Sequence, residues 1–526
     1  MSRTIIRVSS PTVKQRPGGT GRVRPSVAPL AAAARPEIVR ARTFGALDAL
    51  LVVIPESAGR ETLACLPEPE RWRALHARAR PRAGTVRATT LANRRQTLAV
   101  LGFLADGASG FEQLQLAGHM LKESAARAPQ SVGLATLAAP AKRATWLEAL
   151  LAAALAAAFE LPAFKRDAPA AAPLRRIVLP ADTPLDTRYA AASGAATNLA
   201  RWLTALPPNM LDSSGYRAVI ARLAHRHGLT MRWLGEPALR RLGAHAFLAV
   251  AAGNAHRDAG IAHLQYRPSR RRAVASADLA LIGKGIVFDT GGVNLKPHRS
   301  MLQMHTDMGG SAVALATLIA LAQLRAPIAA DAWLAISENH IGPGAYRPQE
   351  VVRAANGLTI QVMHTDAEGR MALADTLALA ARTRPRLMLD FATLTGACVY
   401  ALTERMSGIF TNHPALTEAM VAAGRASGER VWPFPFDADY DADLQSTVAD
   451  VLQCAVEGKG DHILAARFLG RFVPAEIPWA HVDLSSATRP GGLGHINTEV
   501  TGFGVRFALE LLLRQNVLQC LEKRSS

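Results

Sequence analysis

From about residue 211 to 515, short apolar runs alternate with longer runs of helical period. LALIGKGIVFD is a strand leaving into a loop, and MGGSAVALATLIALAQL (308–324) follows it as a helix. DAWLAISEN (331–339) and GLTIQVMHT (357–365) read as strands and MALADTLALAARTR (371–384) as a helix. PRLMLDFATLTG (385–396) is a strand with its exit loop. This alternation predicts an α/β fold.

A weaker version of the pattern precedes it. ALDALLVVIP (46–55), QTLAVLGFL (96–104) and SVGLATLA (131–138) read as strands, and 111–128 and 144–160 as helices. The Pro- and Ala-rich stretch LPAFKRDAPAAAPLRR (161–176) reads as a boundary. The expected organisation is a disordered basic arm (1–43), a smaller N-terminal α/β domain (44–162), a linker (163–186), a larger C-terminal domain (187–516) and a tail (517–526). A length of 526 residues, with 49% hydrophobic and 19% charged, suits such cores and excludes a disordered chain. The most apolar run, ALLAAALAAAF (149–159), is bracketed by Glu148 and Glu160. It falls short of the roughly 20 residues of a membrane span, so no membrane partner is expected.

Net charge is +18, and the arm carries nine Lys/Arg against one Glu. A solubilising tail is favoured there over a transit peptide or a loose nucleic-acid contact. The four cysteines are far apart and form no C-x-x-C pair, which fits a reduced, cytoplasmic compartment.

The charged residues that interrupt apolar segments carry the chemistry. Lys284 ends the run LALIGK, Asp289 lies five residues on, and Lys296 sits in NLKP. Asp307 precedes a helix, and Asp366, Glu368 and Arg370 lie in HTDAEGR. If that stretch is extended, residues two apart share a face, and Asp366, Glu368 and Arg370 point the same way. The carboxylates fall near predicted carboxyl ends of strands, where open α/β sheets take ligands. Four acids brought together there require positive charge between them, and one or two divalent cations supply it. Taken singly, each has a plainer reading: Asp307 as a helix cap, the acids of DAEG as helix-start chemistry, Lys284 as a surface strand-end lysine and Lys296, before Pro297, as a loop residue.

Taken together, GKGIVFDTGGVNLKP (283–297), MHTDMGGSA (304–312), HTDAEGRMALADTL (364–377) and DFATLTGA (390–397) resemble, in order and spacing, the core motifs of the M17 leucyl aminopeptidase family. ARWLTALPPNML (200–211), LGAHAFLAVAAGN (242–254), WAHVDLSS (479–486) and TGFGVR (501–506) extend the likeness. The resemblance implies a metal-dependent aminopeptidase that releases N-terminal residues from peptides. It implies two divalent ions per subunit, manganese or zinc, with magnesium or cobalt as alternatives. Lys284, Asp289, Asp307 and Glu368 would hold one ion, and Asp289, Asp366 and Glu368 the other. Lys296 and Arg370 would be catalytic, Arg370 by holding a bicarbonate that acts as general base. Met304, Thr393 and Gly396 match substrate-pocket positions, which makes an apolar first residue the default. His364 stands where the family usually has Asn, beside that pocket, and His305 where it often has Lys; a structural role is favoured for His364. The resemblance further implies an N-terminal α/β domain and a C-terminal domain with a mixed central sheet flanked by helices, and the family's usual assembly is a homo-hexamer. The competing functions are nucleic-acid binding, motivated by the charge, and a metal-binding scaffold without activity.

Overall fold

The computed structural model describes residues 36–45, 47–79, 82–166, 174–183, 185–268 and 276–523. It has a smaller N-terminal and a larger C-terminal α/β layer system. The N-terminal sheet contains β1 (Glu37–Ala41), β2 (Ala49–Pro55), β3 (Val86–Thr90), β4 (Leu98–Leu104), β5 (Ser131–Thr136) and β6 (Arg176–Pro180). Its order is β1-β6-β5-β2-β4-β3, parallel except for β3 at one edge. Strands β2 and β4 are apolar throughout and almost wholly buried, as strands covered on both faces must be. The helices Gly110–Ala125 and Pro140–Ala157 cover one face. The first opens on a capping box, Ser109 with Glu112.

Two strands here correct the expected boundaries. Glu37–Ala41 lies inside the stretch read as a disordered arm, and Arg176–Pro180 inside the stretch read as a linker. Each is only five residues and is flanked by Pro, Ala and Arg, so neither stands out locally. They pair with each other, Ile38 opposite Ile177 and Val39 opposite Val178. The C-terminal tail is also structured: the helix Val517–Lys523 buries Val517, Leu518 and Leu521 in the main core. Residues 1–35, with most of the arm and its suggested nucleic-acid contact, lie outside the described residues.

The larger sheet has eight strands: β7 (Thr230–Gly235), β8 (Gly260–Tyr266), β9 (Leu279–Asp289), β10 (Ala330–Asn339), β13 (Leu387–Ala392), β14 (Ser407–Thr411), β15 (Val431–Pro433) and β17 (Trp479–Asp483). Their order is β15-β14-β17-β13-β9-β10-β8-β7, and the sheet is mixed. Strand β9 sits in the middle, parallel to β10 and β13. Its side chains alternate between two cores: Leu279 and Leu281 face one, Ala280 and Ile282 the other. The helix Gly309–Leu324 is apolar all round and buried against the first core. A three-stranded sheet of β11 (Val351–Arg353), β12 (Thr359–Gln361) and β16 (Val451–Leu452) lies apart.

That small sheet changes one expectation. The stretch 357–365 is not a strand of the main sheet; only Thr359–Gln361 is extended, and it pairs with β11 and β16. The helix after it begins at Glu368, three residues earlier than expected.

Candidate active site

Strand β9 delivers the first two groups. Lys284 is mid-strand rather than at its end, and Asp289 is the last residue. Gly283 lets the strand pass close to the helix behind it: a Cβ there would lie 2.5 Å from the Ser311 Cα. After Asp289 the chain turns sharply through Gly291 (φ +87°) and Gly292 (φ +66°), a left-handed pair that only glycine adopts cheaply. The turn closes when the Lys296 amide donates to the Thr290 carbonyl at 2.9 Å. Lys296 thereby comes back over Asp289, with Nζ 2.9 Å from Oδ2, and also pairs with Asp366.

Asp307 does not cap the helix that follows it. The helix starts at Gly309, and no side chain caps its N-terminus. Instead Asp307 Oδ2 lies 2.7 Å from Lys284 Nζ, and Oδ1 accepts from the Thr393 hydroxyl at 2.7 Å. Lys284 Nζ also reaches Glu368 Oε1 at 2.9 Å and donates to the Thr393 carbonyl.

Asp366 lies in a turn and Glu368 is the first helical residue, so the two do not share a face through extended backbone. The turn brings them together, and it is clamped from a distance. Gln453 Oε1 accepts from the Met363 and His364 amides, and its Nε2 donates to the Ala367 carbonyl. Asn339, at the end of β10, donates to both Asp289 Oδ1 (2.8 Å) and the Thr365 carbonyl (3.0 Å). Neither Gln453 nor Asn339 was singled out from sequence. Asn339 carried a usable signal, a polar residue ending a buried strand.

Carboxylate oxygens of Asp289, Asp366 and Glu368 lie within 4.8 Å of one another. Burial and the neighbouring Asp289 charge push Glu368 up to about 8. Burial likewise raises Asp307 to about 6. Burial lowers Lys284, but Asp307, Glu368 and Asp289 outweigh that and hold it firmly charged. Glu368 Oε2 is buried with no hydrogen-bond partner among the described residues. A cluster of hard oxygen donors, one of them unsatisfied, fits a divalent cation.

The cluster opens on a cavity of about 370 Å³, lined by Lys284, Asp289, Lys296, Asp307, Asp366 and Glu368, with Met304, Thr393 and Gly396 on its walls. His364 and Arg370 do not line it. His364 is exposed, and its Nδ1 accepts from the Asp366 amide at 3.2 Å. Two residues past Glu368 on a helix is about 200° round the axis, so Arg370 turns away from Glu368. It is buried, and its Nη2 donates to both oxygens of Asp461 at 2.8 and 2.7 Å. His305 is half-buried, which lowers its pKa.

Residues 198–509 match the catalytic domain of the cytosol aminopeptidase family. This chain belongs to that family. A probable cytosol aminopeptidase of Prochlorococcus marinus is 36% identical over 348 residues, 65% of this chain and 70% of that protein. One from Desulfovibrio desulfuricans is 46% identical over 235 residues, 44% of this chain and 46% of the other. Among solved structures, a mutant of tomato leucine aminopeptidase superposes with a TM-score of 0.81 at 25% identity, covering 91% of this chain and 96% of that one. The bottromycin maturation enzyme BotP, solved in complex with manganese, gives 0.76 at 30% identity, covering 90% of this chain and all of that one. This cytosol aminopeptidase family member is therefore a metalloaminopeptidase, a hydrolase, and it has the two-part α/β fold of the leucine aminopeptidases.

Proposed function

We propose that this aminopeptidase removes single residues from peptides with a free N-terminus, using two divalent cations held by Lys284, Asp289, Asp307, Asp366 and Glu368. The observation that carries the reading is the convergence of Asp289, Asp366 and Glu368 beside the buried Lys284 and the half-buried Lys296 in one cavity. When bound, the cations, manganese or zinc with magnesium or cobalt as alternatives, polarise a carbonyl and make a water acidic. Asp289 and Glu368 would serve both. Lys284 can act as a ligand only after losing its proton, so loading releases protons and weakens in acid. Lys296, at the cavity wall, stabilises the oxyanion that develops on the attacked carbonyl.

Arg370 is the proposed holder of a bicarbonate base, and there Asp461 competes for the guanidinium. Met304, Thr393 and Gly396 shape the pocket for an apolar first side chain, while His364 serves the turn that carries Asp366. The enzyme is further proposed to be cytoplasmic and a homo-hexamer.

The test is hydrolysis of aminoacyl-anilides and dipeptides with manganese, zinc or chelator. Release of the N-terminal residue is expected, abolished by chelator. Lys296→Ala should lower kcat by about 10²–10³-fold, as removal of an oxyanion partner does. Full turnover in that variant, or in chelator, overturns the reading.

A further inference from the structure

The N-terminal sheet has a second cavity, unconnected in its lining to the catalytic one. We propose that it is a binding site for a phosphorylated small molecule with a hydroxylated, partly apolar body, the chemistry of a nucleotide.

Its position is the first argument. The cavity measures about 670 Å³. Its walls follow the carboxyl ends of four parallel strands: Arg42 comes after β1, Leu66 lies in the connection leaving β2, Leu137 comes after β5 and Asp182 after β6. The connection from β2 leads to β3, beyond β4 on one side, while the connection from β5 leads to β6 on the other. Neighbouring strands whose connections diverge leave a crevice at their carboxyl ends, and open α/β sheets bind ligands there. The volume is that of a small-molecule site.

Its lining is the second. Arg42 and Arg143 both face the cavity. Arg143 Nε donates to the Ala138 carbonyl, and neither guanidinium has a carboxylate within ion-pair distance among the described residues. Two guanidinium groups without counter-ions attract an anion, and their planar forks suit phosphate. Asp182 is available to accept from hydroxyl or amino groups of the same ligand. Phe44, Leu66 and Leu137 offer an apolar wall to its body. The rim is fixed: Arg40 donates to the Thr183 and Leu185 carbonyls at 2.7 Å each, holding the turn beside Asp182.

The experiment is titration calorimetry on the full chain, in chelator so that divalent ions do not bridge ligand and protein. The probes are adenosine diphosphate, adenosine and inorganic phosphate. Saturable binding of the diphosphate is expected, tighter than that of either fragment. Arg42→Gln and Arg143→Gln, both exposed positions, should each weaken it about 10-fold, one charge-assisted hydrogen bond's worth. Lys296→Ala should bind it as the wild type does. No binding of the diphosphate overturns the proposal, as does unchanged affinity in both arginine variants. Loss of binding in Lys296→Ala places the ligand in the catalytic cavity and also overturns it. Phosphate binding as tightly as the diphosphate refutes the apolar half of the recognition.

Discussion

Buried charges decide the behaviour of single residues here. Lys284 is 3% exposed and neutralises Asp307 and Glu368 at once. Lys284→Met leaves two buried carboxylates without their paired cation, and breaking a buried pair costs about 3–5 kcal/mol. Denaturant unfolding in chelator should show a loss of that order; an unchanged midpoint would mean that the ion pairs contribute nothing. Arg370 and Asp461 form a second pair, half-open on the aspartate side. Asp461→Ala should cost about 1–3 kcal/mol in stability. It should also make turnover respond more strongly to added bicarbonate than in the wild type, because the internal competitor is gone. Equal bicarbonate dependence in the two enzymes would count against anion binding at Arg370. Sequence reading singled out Lys284, Asp289, Lys296, Asp307, Asp366 and Glu368, which line one cavity, because they fall within contiguous motifs. It placed Arg370 on their face because it assumed extended backbone. Asp461 was invisible to it, since a partner 91 residues away leaves no local trace.

At the scale of elements, close approach and buried caps matter most. Gly283→Ala would push β9 off the helix Gly309–Leu324, with a Cβ 2.5 Å from Ser311 Cα. An overpacked core of this kind loses about 1–3 kcal/mol, and thermal unfolding should register it as a lower Tm. Glu429 Oε2 accepts from the Gly504 and Phe507 amides at 2.9 and 2.8 Å, tying the helix Val505–Leu509 to the loop before β15. Burial raises its pKa from 4.5 to about 7. Between those values the folded state holds a proton that the unfolded state has lost. Stability therefore falls as pH rises through that window, by on the order of a few kcal/mol. Glu429→Gln keeps an acceptor and removes the proton, so it should flatten the slope; an unchanged pH profile would disprove the assignment. The central strands were legible because β9, β10 and β13 are long apolar runs. Strands β1 and β6 were not, because each is five residues long and is stabilised by pairing across more than a hundred residues.

Across the whole molecule, the two α/β units are joined by packed backbone and by charged contacts, among them Arg430 over the Phe111 ring and the clasp of Arg514 on Glu148. Gly118 meets the Gly494 carbonyl, where a Cβ would lie at 2.8 Å. Arg514 forms two bonds to Glu148 and lies 3.9 Å over the Tyr189 ring. Arg514→Ala should lower stability by about 1–2 kcal/mol, the sum of a partly exposed ion pair and a cation–π contact. Catalytic rate should be unaffected, and a matching loss of kcat would indicate that the clasp also shapes the cavity. The clamp on the Asp366 turn has a consequence in time as well as in space. All five candidate metal-holding residues lie between 284 and 368, yet the side chain that grips their last turn is Gln453, 86 residues beyond Ala367. A chain emerging from the ribosome presents every acid of the centre well before the residue that sets them in place. The nascent peptidase is thus expected to stay inert until most of its length has been translated.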